Sequence, residues 1–142
     1  MPGYGMQIIL WTIALAVIPA AAADVPPAQR AEVEHLIAYL EQSDCVMLRN
    51  GREHDGREGA QHVRRKYDHY RDEIRTTEDF IARAATRSLV TGHAYRVRCP
   101  GQPERPAAGW LSDELAAYRD RAGAETDLRP PRLDRGVVFV TF

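Results

Sequence analysis

Lysine is nearly missing from this chain: of its nineteen basic residues, eighteen are Arg and one is Lys66. Cysteine is scarce too, with Cys45 and Cys99 the only two, which excludes a disulfide-dense scaffold. Neither sits in a C-x-x-C pair, the spacing that lowers a thiol pKa, so thiol redox catalysis has no support. No long block of like charge occurs and the formal net charge is −1, so nothing here draws in nucleic acid. An HExxH cassette, a G-x-S-x-G elbow, internal repeats and low-complexity tracts are all absent.

Charge is also missing from the first 23 residues. Within them, positions 8–20 form an apolar run of signal-peptide length, short for a bilayer span. Ala21-Ala-Ala23 supplies a small-residue cleavage site before Asp24. The expectation is an exported protein, periplasmic or secreted, with no stable membrane anchor after cleavage. An oxidising compartment then favours pairing Cys45 with Cys99.

What remains is a domain of alternating helix and strand signals. Asn50-Gly51 is a strong hairpin turn, because a type I′ turn needs positive φ at both central positions. It joins two short runs over 45–54, with Met47 and Arg49 on one face and Val46 and Leu48 on the other. A second strand-like run spans 94–99. Helices are expected at 28–43 (Val33, Leu36, Ile37, Leu40), from Asp55 to about Ile74 (Ala60, Val63, Tyr67, Tyr70, Ile74), after Thr76, and at 108–121 (Trp110, Leu111, Leu115, Tyr118). Asp55 with Glu58, and Thr76 with Asp79, have capping-box spacing. Residues 24–27 read as an extended lead and 100–106 as a solvent-facing connector. The fold class is α+β: about four helices on a small antiparallel sheet made of hairpin 45–54 and strand 94–99, held by Cys45–Cys99. The expected organisation is a signal peptide at 1–23, one domain at 24–121 and a flexible tail at 122–142. That tail ends in an apolar segment, 137–142, suited to edge pairing or strand addition.

Four segments carry a likeness to a known family: Leu48-Arg-Asn-Gly51; Gly59-Ala-Gln-His-Val-Arg-Arg-Lys66; Glu78-Asp-Phe-Ile81; and Ser88 with Thr91-Gly92-x-x-Tyr95, followed by Trp110-Leu111. Together they span about 28–118, and the chain resembles the YfeK-like family of small exported bacterial proteins, a domain family of unknown function. The resemblance implies periplasmic residence and a compact α+β domain. It implies no established activity, so no catalytic roles are carried over.

The candidate site is a loop face: Arg49, Asn50 and Gly51 at the hairpin turn, His62 and Lys66 one turn apart on a helix edge, and Ser88, Thr91, Gly92 and Tyr95 around a second turn. Fixed positive charge beside exposed turn amides suits a carboxylate or phosphate group. The competing reading makes Asn50-Gly51 and Gly92 simple turns, Ser88 a loop-closing hydroxyl and Arg49 the partner of a nearby acid. Lys66, at the margin of its helix's apolar stripe, can pack its stem and aim its ammonium at an anion or a backbone carbonyl. Glu58 and His62 lie one helical turn apart and His54 can fold back from the hairpin, but no two-ligand cassette with a third placed ligand is present, so no metal or other cofactor is expected. The leading expectation is a non-catalytic envelope binding module whose partner is an envelope protein or a small anionic ligand. The alternative is a small periplasmic enzyme acting on a cell-wall or lipid fragment with His62 or Lys66 as base.

Overall fold

The computed structural model of the protein describes residues 24–127. The expected signal peptide and the 137–142 segment lie outside the described residues. Helix α1, Pro27–Gln42, begins with proline in its first turn, where the missing N–H costs nothing. It buries Val33, Leu36, Ile37 and Leu40 as one stripe. The lead before it is not a loose extension. Val25 is 2% exposed, and the Asp24 carboxylate accepts a hydrogen bond from the Tyr67 hydroxyl at 2.7 Å.

The hairpin consists of β1, Val46–Arg49, and β2, Arg52–His54. Asn50 (φ 52°) and Gly51 (φ 74°) both take the left-handed conformation that a type I′ turn requires. Helix α2, Gly56–His69, follows at once, with Asp55 accepting from the Glu58 amide at its N-terminus. Gly56 is needed where α2 passes the end of α1, because a Cβ there would lie 2.4 Å from the Leu40 carbonyl oxygen. The helix ends at His69, short of the expected Ile74. A 3₁₀ turn over Arg71–Glu73 then carries Ile74, fully buried, into the core. Asp72 and Glu73 would otherwise sit at the negative end of the helix dipole.

Helix α3, Thr77–Ala84, opens with a complete capping box formed by Thr76 and Asp79. Strand β3 is Arg96–Arg98, shorter than the expected 94–99. The missing part is explained by other partners: Ala94 bridges Arg87, and the Tyr95 amide donates to the Thr86 carbonyl. The connector at 100–106 is more than a solvent-facing link, since Arg105–Pro106 forms a fourth strand, β4. Pro106, with no N–H to offer, is tolerated on an edge. The sheet order is β2-β1-β3-β4, antiparallel throughout.

Helix α4, Ala107–Asp127, buries Trp110, Leu111 and Leu115. It runs through Gly123, so residues 122–127 of the expected tail are helical. Met47 faces Val97 across the inner side of the sheet, and both are buried against the helices. The outer side carries half-exposed Val46 and Leu48 with Arg98–Glu53 and Arg96–Glu104 ion pairs. Cys45 and Cys99 are joined beside these strands, with Cα atoms 4.1 Å apart. Among the described residues the fold is therefore α+β, four helices and a four-stranded antiparallel sheet.

Candidate functional site

Strand alternation decides what the hairpin offers the helices. Met47 and Arg49 share the inner face; Met47 fills the core, and Arg49, one step from the turn, meets α2 instead. Its Nη1 lies 2.8 Å from His62 Nδ1, and its Nη2 3.5 Å from His54 Nε2. A guanidinium only donates, so Nδ1 of His62 must present its lone pair. The ring proton is then on Nε2, which donates to the Tyr95 hydroxyl at 3.0 Å. Burial, reinforced by the charges of Arg49 and Lys66, pushes the His62 pKa down to about 4. His62 is neutral at pH 7, with both nitrogens committed.

Lys66 lies one helical turn further on and is 7% exposed. Its Nζ donates to the Arg87 carbonyl at 2.9 Å and sits 5.1 Å from the centre of the Tyr95 ring. Burial alone lowers its pKa. The carbonyl it holds begins the second turn. There the Ser88 amide donates to the His93 carbonyl, the Ser88 carbonyl accepts from Gly92, and Ser88 Oγ accepts from the Thr91 amide at 3.4 Å. The Thr91 hydroxyl closes the circuit by donating to Asn50 Oδ1 at 2.6 Å. Side-chain contacts thus run from Arg49 through His62 and Tyr95 to Lys66, while the Lys66 bond to the Arg87 carbonyl and the Thr91–Asn50 bond tie the second turn to the first. Gly51 and Gly92 contribute backbone only: both have positive φ and open space around them.

The acid expected beside Arg49 is not there. Among the described residues, Arg49, Arg52, Lys66 and Arg87 have no ion-pair partner. Glu53 is engaged by Arg98, and Glu58 by His54. The register sets Arg49 directly opposite Arg52, a like-charge pair that costs stability in a sheet unless something negative offsets it. Arg49, Asn50, Arg52 and His54 line an open cleft of about 310 Å³.

Arg52 and Arg87 were not among the residues singled out from sequence, and His54 was considered only as a metal ligand. Two signals point to them. Residues 80–103 contain no Asp or Glu, and the two-residue turn forces positions 49 and 52 to face each other. Deeper in, between β1 and α2 beside His62 and Tyr95, lies a cavity of about 10 Å³, room for about one water molecule. His54 does fold back to Glu58, at 3.2 Å, but Arg49 occupies the space towards His62. Among the described residues no three metal-type ligands converge.

Comparison with known proteins gives relatives and adds no activity. A family model described as "Family of unknown function (DUF5329)" matches residues 27–119. The chain is 31% identical over 90 residues to "Uncharacterized protein YfeK" of Salmonella typhimurium strain LT2, covering 63% of this chain and 75% of that protein. No solved structure matches.

Proposed function

The chain belongs to the DUF5329 family of unknown function, and from that premise we propose that it is an exported, non-catalytic module that binds an anionic group at the hairpin cleft. The observation that carries this reading is the Arg49–Arg52 pair, opposed across the turn with no carboxylate between them. Asn50 and His54 line the same cleft as polar neighbours. A phosphate or carboxylate placed there relieves the repulsion and accepts bonds from planar guanidinium groups, which suit such oxygens well.

The enzyme alternative needs a free base, and the candidates are committed elsewhere. Nδ1 of His62 is taken up by Arg49, while Lys66 is buried against the Arg87 carbonyl. The space beside them admits one water, not a substrate. Export is supported by the Cys45–Cys99 disulfide, which persists in oxidising compartments. No helix among the described residues is long and apolar enough to cross a membrane.

Calorimetric titration with inorganic phosphate and with a small dicarboxylate tests the reading. The Arg52 side chain is exposed and makes no hydrogen bond or ion pair among the described residues, so Arg52→Gln should fold normally and bind at least fivefold more weakly. Equal affinity in the two proteins would place the anion elsewhere.

A further inference from the structure

The turn that closes onto the hairpin carries an unusual pair. Leu89 and Val90 are 64% and 93% exposed, the large apolar side chains that stay in water among the described residues. They are not a slack loop tip. Lys66 holds the Arg87 carbonyl at 2.9 Å, Arg87 bridges Ala94, and Ser88 bonds both His93 and Gly92. Thr91 fixes the turn to Asn50 at 2.6 Å. An apolar dipeptide is thus presented in a set position beside the cationic cleft, flanked by exposed Arg87 and His93.

Apolar tip, unpaired arginines and an acid-free surrounding span form a recognisable chemical combination. Two apolar residues are far too small for the roughly 800 Å² that each partner buries in a stable protein complex. They are enough for interfacial insertion, in which apolar side chains enter the boundary between headgroups and acyl chains while basic residues meet the phosphates. The chain's net charge of −1 supplies no long-range attraction, so recognition rests on this local patch. We propose that this end of the molecule docks on an anionic lipid bilayer, with Leu89 and Val90 entering the interface and Arg52 and Arg87 engaging lipid phosphates. The proposal rests on the anion-binding reading of the hairpin cleft and names the source of the anion as a lipid headgroup.

Co-sedimentation of the full chain with vesicles tests it. One set contains phosphatidylglycerol and phosphatidylcholine in equal parts, and the other phosphatidylcholine alone. Binding is expected to the first set only. Arg52→Gln and Arg87→Gln should each weaken it about fivefold. The Leu89→Ser/Val90→Ser double variant, changed only at exposed positions, should melt as the parent does and bind inorganic phosphate as the parent does. It should lose vesicle affinity by about tenfold or more. Phosphate binding without vesicle binding overturns the lipid proposal and leaves the anion site standing. Loss of both overturns both. Vesicle binding that ignores the Leu89/Val90 change, or that is equal on neutral lipid, also overturns the docking proposal.

Discussion

The Arg49 guanidinium donates to Nδ1 of His62 at 2.8 Å, and that bond fixes the tautomer of a histidine thirteen residues further along the chain. With Nδ1 accepting and Nε2 donating to Tyr95, protonation of His62 requires breaking the Arg49 contact and charging a half-buried ring beside two cations. The folded pKa of about 4 lies below the ordinary value of 6.5. Between these limits the unfolded chain binds a proton that the folded chain refuses. Stability from this residue is full above pH 6.5, falls as pH drops towards 4, and changes no further below that. After solvent screening the loss is on the order of 2 kcal/mol. Asp24, Glu32 and Glu114, whose pKa values are lowered in the fold, lose their contributions only at lower pH. Denaturant midpoints at pH 7 and pH 4.5 should show this slope, and His62→Gln should flatten it.

Lys66 serves the second turn through its ammonium. Lys66→Met keeps the packed stem but leaves the Arg87 carbonyl without its donor, for a loss of about 1–2 kcal/mol. Hydrogen exchange should quicken at the Ser88 and Gly92 amides, which close that turn, before it quickens in α1.

Two glycines on helices should respond in opposite directions to alanine. Gly56→Ala drives a methyl against the Leu40 carbonyl and should cost about 1–3 kcal/mol. Gly123→Ala meets open space within α4 and should gain up to about 1 kcal/mol. Thermal melting of the two variants checks both.

Replacing Cys45 and Cys99 together by Ala frees a loop with a sequence separation of 54, and should lower stability by about 4 kcal/mol on the chain-entropy view. Unfolding of the oxidised parent beside the double variant measures it.

Much of this architecture is legible in the chain, and the misses have physical causes. Asn50-Gly51 is readable because few residues accept positive φ, and Thr76 with Asp79 because capping chemistry is local. The helix expected at 108–121 continues to Asp127, because glycine ends a helix only where the chain needs positive φ, and α4 simply runs through Gly123. Ile74 fits the α2 stripe by spacing, yet a 3₁₀ turn delivers it to the core just as well. Strand β4 has two residues and no pattern of its own; it exists because β3 offers it an edge. The inward direction of Arg49 follows from alternation with Met47, whereas His62 as its acceptor depends on how α2 packs on the sheet. Arg52 reads as an ordinary polar strand residue until the register sets it against Arg49.

Nuclear magnetic resonance of the full chain during titration with inorganic phosphate at low salt locates the anion site residue by residue. The largest shifts should fall on the amides of Arg49, Asn50, Gly51 and Arg52 and on the two guanidinium groups, and added salt should reverse them. Shifts centred on the Arg119–Glu32–Glu78 cluster instead, or none at the hairpin, would contradict that placement.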